Sequence, residues 1–444
     1  MTINRASSKP DIRHVTRRLT TIVSRLLLIV VVACGLAVFA SYALELRKQG
    51  HAASDKPAIA RRLVATEGVD HLDRLAREPM VVELSDGALF VSGYDNDAEK
   101  SPGLWQSRDH GITWERVNVA SKAAGAIGDS DVDLAVNRDD TLYFVAMSYD
   151  VKVDEGTRIT IGVSKNAGAK WSWKVLSENR FDDRPWVGVA PDRTVHVIWN
   201  DGSGVRYAVS QDDGASWNLR PRIHEQGGSS HLAIGPHGEI AVRVTPSSAS
   251  GNKFTPGVDL IAVSRDGGKT WQKHSAPGER DWSPDFKKGT PRWVEPIAWD
   301  ASGTLYYLWG TTKGLWLAQS LDQGETWKNW HIVERDEITY FPYLIARGRG
   351  ELAASWSSGD GDTLMAHVAT IHVGDGKAPP QVIESQPFQT DTWQDHPTEP
   401  VHRTTGGEYI PIIFLRAGGL GVVTTIQNDR EKRLGFRWWK FVER

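Results

Sequence analysis

Charged, histidine and tyrosine side chains recur immediately before a series of predicted β-strands along this chain of 444 residues. Arginine binds carboxylates through a planar, bidentate fork, whereas carboxylates, histidine and tyrosine can transfer protons or act as nucleophiles. If the strands are arranged radially, their starts converge into one polar pocket in which the arginines favour an acidic ligand. The residues concerned are Arg77, Asp131, Asp183 with Arg184, His231, Glu295, Tyr340, and Asp395 with His396.

A repeated strand pattern follows each of these residues. It consists of an alternating apolar strand, a turn that contains Gly or Asp, and a second apolar or aromatic strand, as in Pro79 to Val91. Period-2 alternation bounded by such turns predicts β-hairpins. The seventh and most degenerate copy runs from Pro400 to Phe414, and Gly421 to Ile426 and Leu434 to Val442 can supply its outer strands.

An eight-residue pattern, Ser-x-Asp/Asn-x-Gly-x-x-Trp, follows five of these copies. It starts at Ser107, Ser164, Ser210, Ser264 and Ser320, at spacings of 57, 46, 54 and 56 residues. Recurrence of this size indicates a solenoid or a propeller. Ser and Asp side chains can bind the backbone of their own turn, Gly allows a positive φ, and Trp supplies a packing surface. The pattern therefore predicts a structural hairpin.

This pattern resembles the Asp-box, or BNR repeat, of sialidases and other Asp-box β-propellers. The resemblance covers residues 107–327 and implies an all-β, sialidase-like β-propeller over residues 76–444. The strand count favours seven four-stranded blades, whereas sialidases have six, so a six-bladed ring with an added hairpin is the alternative. In this family the box lies on the face opposite the substrate. The long loops of the other face are where binding residues concentrate.

The resemblance also implies a site that recognises an acidic sugar. Sialidases clamp the carboxylate of their substrate with three arginines. Arg77, in Arg77-Glu78-Pro79, resembles the first arginine of the family, and Arg243, at the end of a second strand in blade four, resembles the second. Arg292 is the candidate for the third arginine.

The remaining roles in a sialidase are an Asp acid/base and a Tyr nucleophile that a Glu activates. The resemblance assigns the acid/base to Asp95 or Asp97 and the nucleophile to Tyr340. The Glu of the family would precede blade four, where this chain has His231, and Glu295 lies one blade later. An exo-sialidase-like glycoside hydrolase is thus one expectation. A non-catalytic propeller that binds a glycan or a protein on its loop face is the alternative.

The composition limits the classes of partner. The chain has a net charge of −3, and residues 1–25 carry six Lys or Arg against one acid, so the remaining body is more acidic still. An acidic body argues against nucleic acid as a partner. The sequence contains no His/Cys metal motif, P-loop or dinucleotide fingerprint, so we expect no metal and no cofactor.

An apolar run at residues 26–44 separates the basic tail 1–25 from a charged connector at 45–75. Nineteen uncharged residues can span a bilayer, and the basic side is expected in the cytoplasm. We therefore expect a single-pass membrane protein with its propeller outside the cytoplasm, in the periplasm or the extracellular space. Ser41-Tyr42-Ala43 could instead be a cleavage site of a secreted protein, and Val31-Val32-Ala33-Cys34 loosely resembles a lipobox. Cys34 is the sole cysteine, so no intrachain disulfide can form.

Overall fold

The computed structural model describes residues 61–73, 76–94, 101–150, 152–153, 155–246, 259–283, 285, 287–290, 295–395, 402–404, 407–428 and 433–444. Within these residues, short apolar segments alternate with Gly- and Asp-containing turns, and they form thirty β-strands and one 3₁₀ helix, Lys122–Ala124. No helix in these ranges is both long enough and apolar enough to cross a membrane. The predicted span 26–44 lies outside the described residues.

The strands form seven antiparallel sheets, which are the blades of a propeller. Blade 1 consists of β2 (Arg77–Glu83), β3 (Leu89–Tyr94), β4 (Gly103–Ser107) and β5 (Glu115–Arg116), and blade 2 consists of β6 (Val132–Val136), β7 (Leu142–Asp150), β8 (Glu155–Ser164) and β9 (Ser172–Ser177). Blade 3 consists of β10 (Asp182–Val189), β11 (Val195–Asp201), β12 (Val205–Ser210) and β13 (Asn218–His224), and blade 4 consists of β14 (Gly227–Ile234), β15 (Ile240–Pro246), β16 (Leu260–Ser264) and β17 (Gln272–Ser275).

The other three blades have the same order of strands from the axis outward. Blade 5 consists of β18 (Ile297–Trp299), β19 (Leu305–Thr311), β20 (Gly314–Ser320) and β21 (Lys328–Glu334). Blade 6 consists of β22 (Ile338–Ala346), β23 (Glu351–Gly359), β24 (Thr363–His372) and β25 (Gln381–Glu384), and it is extended by β26 (Gln389–Asp395) and β27 (His402–Thr404). Blade 7 consists of β28 (Ile412–Phe414), β29 (Leu420–Asn428), β30 (Arg433–Glu443) and β1 (Leu63–His71). The prediction of seven blades is confirmed, and the six-bladed alternative is wrong.

Blade 7 closes the ring with strands from both ends of the propeller. Its outermost strand, β1, pairs antiparallel with β30 from Leu63↔Glu443 to His71↔Phe436. The interpretation of residues 63–71 as part of a connector is therefore corrected. The strand β28 at Ile412–Phe414 is the innermost strand of this blade and not the second. This closure stabilises a propeller because it leaves no gap between the first and last blades.

The five predicted boxes form the turns between the third and fourth strands. In the first box, Ser107 Oγ donates to Asp109 Oδ1 at 2.8 Å, and Gly111 N donates to Ser107 Oγ at 2.8 Å. Gly111 has a φ of 95°, as the turn requires. A Cβ on Gly111 would lie 2.2 Å from Trp438 Nε1 of the preceding blade. The box therefore joins two blades through close packing as well as turning the chain.

Candidate functional site

Three innermost strands contain the same bulge where they begin on the loop face. The register shifts between Arg77 and Met80 in β2, between Asp183 and Trp186 in β10, and between Tyr340 and Tyr343 in β22. In each case two residues, the second of them proline, lie opposite one residue of the neighbouring strand. A bulge of this kind changes the direction of a side chain and is common beside functional sites.

The residue before each of these prolines has a left-handed backbone. Glu78, Arg184 and Phe341 have φ values of 46°, 49° and 49°. Residues with side chains of this size rarely adopt positive φ, and such strain concentrates at binding and catalytic sites. The three bulges thus present Glu78, Arg184 and Phe341 at equivalent positions on the rim of the axis.

Aromatic side chains fill the axis beneath these bulges. Trp186 contacts His231 and Tyr409 at ring-centroid distances of 4.9 and 5.5 Å, and His231 contacts Tyr343 at 5.6 Å. The Tyr343 hydroxyl donates to Met80 Sδ at 3.7 Å. Burial lowers the pKa of His231 to about 4, so its imidazole is neutral at pH 7 and acts here as a packing residue.

A cluster of charged groups lies at the loop-face end of this aromatic plug. We call it the axial mouth, and it includes residues from the starts of blades 1, 2, 3 and 7. Its members act on one another electrostatically and are Arg77, Glu78, Asp131, Asp183, Arg184, Glu408 and Tyr409. The predicted residues Arg77, Asp183 and Arg184 are therefore brought together.

Arg184 is the central cation of the axial mouth. Its Nη1 donates to Glu408 Oε2 at 2.7 Å and to Tyr409 Oη at 3.2 Å, and its Nε lies 3.6 Å from Asp183 Oδ2. Burial alone would lower the pKa of Arg184, but Glu408, Tyr409 and Asp183 outweigh it and raise this pKa. Arg184 thus stays charged while its side chain is 20% exposed.

The carboxyl groups of the mouth differ in their affinity for protons. Burial, followed by Asp131 and Glu408, raises the pKa of Glu78 well above its usual value, although Arg77 and Arg184 oppose this shift. Burial likewise raises the pKa of Asp183 to about 6 against the effect of Arg184. Both carboxyl groups therefore hold a proton more readily than a carboxyl group in water does.

Two groups were not selected as site residues from the sequence, Glu78 and the pair Glu408–Tyr409. The sequence marks Glu78 only as the middle residue of Arg77-Glu78-Pro79. The recurrence of a residue pair before proline in blades 1, 3 and 6 was the signal that could have identified it. The Gly407 backbone, with a φ of 77°, covers Glu78 so closely that a Cβ there would lie 2.3 Å from Glu78 Cγ.

Arg77 contributes the second cation of the mouth. Its guanidinium lies over the Tyr94 ring, with 5.7 Å between Cζ and the ring centroid. The electrostatic effect of Tyr94 raises the pKa of Arg77, and Glu78 and Asp131 add to this shift, whereas burial opposes it. Arg77 Nε is buried, and no described residue accepts a hydrogen bond from it. A buried donor of this kind is unusual and is a candidate contact for a ligand.

A cleft beside the mouth is lined mainly by uncharged polar and apolar groups. It lies between blades 6 and 7 and is partly open to solvent. Tyr409 and Gly407 belong both to this lining and to the surroundings of Glu78 and Arg184. The other lining residues include Phe341, Ser357, Gln389 and Thr424.

Arg243 and Glu295 lie elsewhere, in an enclosed network between blades 4 and 5. Arg243 Nε donates to Glu295 Oε2 at 3.0 Å and to Tyr307 Oη at 2.8 Å, and Arg243 Nη2 lies 3.2 Å from Asp259 Oδ1. Arg280 Nε donates to Glu295 Oε1 at 3.1 Å. Burial would raise the pKa of Glu295, but Arg280 and Arg243 outweigh it and lower this pKa.

The network contains two cations and two carboxylates, which offset one another. Arg243 is completely buried, and Glu295 and Asp259 are each only 3% exposed. In this arrangement Arg243 and Glu295 can contact a ligand only if the network opens. The geometry therefore indicates that they hold blades 4 and 5 together.

Tyr340 is also completely buried, within the core cluster that includes Phe341 and Leu364. Burial raises the pKa of Tyr340, so its phenol is neutral at pH 7. The candidates Asp95, Asp97, Arg292 and His396 lie outside the described residues. Where the structure describes the chain, no group of three His, Cys, Asp or Glu side chains is placed to hold a metal ion.

Comparisons with known proteins concern the repeat and the fold. The family model described as BNR/Asp-box repeat matches residues 262–273, a segment that contains the fourth box. No curated protein sequence matches the chain.

Among solved structures, a Dyadobacter fermentans protein of unknown function has 15% identity and a TM-score of 0.50, over 86% of this chain and 99% of that one. The NanB sialidase of Streptococcus pneumoniae has 13% identity and a TM-score of 0.41, and the match covers 84% of this chain and 69% of the sialidase chain. A polysaccharide lyase of family PL25, an ulvan lyase, has 9% identity and a TM-score of 0.46, and the match covers 83% of this chain and 93% of the lyase chain. At these identities the likeness concerns the fold alone. With its repeated boxes and seven blades, the protein is a sialidase-like Asp-box β-propeller.

Proposed function

We propose that the axial mouth and the adjoining cleft bind an acidic glycan. Arg77 and Arg184 supply the charge that recognises a carboxylate or sulfate, and the cleft supplies hydroxyl and amide groups for the neutral part of a sugar. The observation that carries this proposal is Arg77 Nε, a buried donor for which the described residues supply no acceptor. A carboxylate that binds with a shift of the groups covering this atom would provide that acceptor and remove the cost of an unmade hydrogen bond.

Arg77 and Arg184 have different roles in this proposal. Arg184 already binds Glu408, so a ligand anion joins an existing ion pair and must compete with a carboxylate. Arg77 is not restricted in this way at Nε. We therefore expect Arg77 to contribute more to anion affinity than Arg184, whereas Arg184 positions Tyr409 at the edge of the cleft.

Binding of single sugars by the full-length protein tests this function. We expect glucuronic acid, galacturonic acid or N-acetylneuraminic acid to bind, and glucose and galactose to bind much more weakly. Arg77→Gln should reduce affinity for the acidic sugar roughly 10- to 100-fold, the equivalent of one charge-assisted hydrogen bond. Arg265→Gln is the matched control because Arg265 lies in a box on the opposite face and is half exposed. Equal binding of neutral and acidic sugars would contradict the proposal.

The raised pKa values of Glu78 and Asp183 favour a second function for the same site, cleavage of the bound glycan. A carboxyl group whose pKa is raised by burial is suited to acid–base catalysis near neutral pH. In this mechanism Glu78 donates its proton to the glycosidic oxygen, and Asp183 takes a proton from the attacking water. Glu78→Gln should abolish hydrolysis of fluorogenic acidic glycosides and leave sugar binding intact. Hydrolysis that survives this substitution would assign the acid elsewhere.

We also propose that residues 26–44 anchor the propeller outside the cytoplasm. The support is the 19-residue apolar run between a basic tail and an acidic body. Leu321 is 71% exposed on the box face, so Leu321→Cys provides an accessible thiol. A membrane-impermeant thiol reagent should label this variant in intact cells, with the unsubstituted protein as the control. Labelling only after lysis would place the propeller in the cytoplasm.

A further inference from the structure

Phe181 presents an exposed aromatic ring on the loop face. It lies in the turn between β9 and β10, where blade 2 passes into blade 3, and its residue surface is 50% exposed. Its φ is 69°, in the left-handed region that a bulky residue rarely adopts. An exposed ring offers no burial to compensate this strain. Strain that persists on a surface is a signal of function.

Contacts from two other loops hold this ring in place. Phe181 N donates to Gly156 O at 2.9 Å, which fixes the turn to the start of β8. Gly202, between β11 and β12, lies so close that a Cβ there would be 2.7 Å from Phe181 Cβ. Arg180 Cζ lies 5.4 Å from the Phe181 ring centroid, and Arg180 makes two hydrogen bonds of 2.6 Å with Glu155. The ring is therefore preorganised.

The same rigid segment connects Phe181 to the axial mouth. Asp182, the next residue, is completely buried, and its carboxylate accepts hydrogen bonds from Asn179 N at 3.0 Å and Trp199 Nε1 at 3.1 Å. Asp183 and Arg184 of the mouth follow directly. Around the ring of seven blades, Phe181 lies at the junction of blades 2 and 3, and the cleft lies at that of blades 6 and 7. The mouth lies between them.

We propose that Phe181, supported by Arg180, is a stacking subsite for one sugar of a glycan chain whose acidic unit occupies the axial mouth. The ligand class is then an acidic oligosaccharide or polysaccharide bound across the loop face, and not a single terminal sugar. This inference rests on the proposed glycan-binding function. Aromatic rings bind the apolar faces of sugars by dispersion and C–H contacts, and a rigid ring loses little entropy when it does so.

The dependence of affinity on chain length tests the subsite. We would titrate the full-length protein with oligomers of galacturonic acid, oligomers of sialic acid and hyaluronan fragments, each from one to eight sugars. Affinity should rise with length in at least one series. Phe181→Ala should remove about 3- to 10-fold of affinity for the longer ligands, as one aromatic contact predicts, and leave the affinity for the single sugar unchanged.

Three further variants complete the test. Phe181→Trp should retain the effect of chain length because it keeps an aromatic face. Leu219→Ala removes an apolar side chain that is 63% exposed on the outer strand β13 and should change nothing. Arg77→Gln should weaken short and long ligands alike. Thermal unfolding of each variant shows whether the fold is retained.

The failures of the two proposals are distinguishable. If an acidic monosaccharide binds through Arg77 but length adds nothing, the stacking subsite is rejected and the glycan-binding function stands. An equal loss for short and long ligands in Phe181→Ala would show that Phe181 only supports the mouth, and it would also reject the subsite. If no acidic saccharide of any length binds, both proposals are wrong.

Discussion

Arg184 and Glu408 are bonded across the propeller axis, with 2.7 Å between Arg184 Nη1 and Glu408 Oε2 and 224 positions between them in the chain. Arg184 lies in the bulge at the start of blade 3, and Glu408 shortly precedes blade 7. No local sequence pattern relates them, because only closure of the ring places these two segments at one axis. Their ion pair sets the electrostatics of the mouth. The positive charge of Arg184 limits the rise that burial causes in the pKa values of Asp183 and Glu78.

The first prediction concerns this ion pair. In Arg184→Gln the pKa of Asp183 should rise above its value of about 6. Burial and the neighbouring carboxylates raise this pKa, and the substitution removes the cation that opposes them. Carbon-detected NMR titration of the Asp183 carboxyl measures this shift. Arg265→Gln, on the box face, should leave the titration of Asp183 unchanged. An unaltered Asp183 curve in Arg184→Gln would show that Arg184 does not influence this carboxyl.

The second prediction concerns the enclosed network between blades 4 and 5. Glu295→Gln should lower the free energy of unfolding by about 3–5 kcal/mol, because it leaves the buried cations Arg243 and Arg280 insufficiently paired. Denaturant unfolding measures the loss. Asp336→Asn is the matched control, because Asp336 pairs with Lys313 at 2.9 Å on the surface. The control should cost less than about 1 kcal/mol, and equal losses would contradict a structural role for Glu295.

The third prediction concerns the boxes. Trp114 is 8% exposed and packs against Phe436 and Trp438 of blade 7 at ring-centroid distances of 5.1 and 5.8 Å. Trp114→Ala should cost about 3–5 kcal/mol of unfolding free energy, with little effect on sugar affinity in the folded fraction. Ile112→Ala, in the same turn and 61% exposed, should stay within about 0.5 kcal/mol. A loss of sugar binding in a stable Trp114→Ala protein would contradict a purely structural box.

The fourth prediction concerns pH. Burial raises the pKa of Asp133 to about 7, although Val187 N and Leu134 N donate to its carboxylate. Between roughly pH 4 and 7 the folded state therefore binds more protons at Asp133 than the unfolded state, for which the pKa is about 3.9. The contribution of Asp133 to stability is greatest below pH 4 and is lost as pH rises through 7. Glu78 and Asp183 act in the same direction.

Urea unfolding at pH 4.5, 5.5, 6.5 and 7.5, values chosen to cover roughly this window, measures the effect. The buried His231 and His196, whose pKa values burial lowers to about 4, act in the opposite direction between about pH 4 and 6.5. The measured quantity is therefore the difference between two proteins: the stability of Asp133→Asn relative to the unsubstituted protein should increase as pH rises, whatever its absolute stability. The box residues Asp109 and Asp212 have pKa values lowered to about 2, chiefly by hydrogen bonds from Thr113 and Ser216, so their contribution changes below this window. An unchanged slope in Asp133→Asn would exclude Asp133 as the source.

Local sequence determined the boxes and most of the blades. The turn in each box depends on side chains within eight residues, such as Ser107, Asp109 and Gly111, whose hydrogen bonds and backbone angles are local. The strands of blades 1 to 5 were likewise predictable because each hairpin combines alternation with a Gly or Asp turn. Blade 7 was not, because β1 has no partner nearby in the chain and pairs with β30, more than 360 positions later, only when the ring closes.

The site was predictable to a smaller extent. The sequence by itself placed Arg77, Asp183, Arg184, Arg243, Glu295 and Tyr340 at the ends of strands on the loop face. Tertiary structure alone decided that the first three share the axial mouth and that the others are enclosed. It also brought Glu78 and Glu408 into the mouth. The physical reason is that the position of a residue along a strand depends on local periodicity, whereas its exposure, partners and pKa depend on side chains that other blades supply.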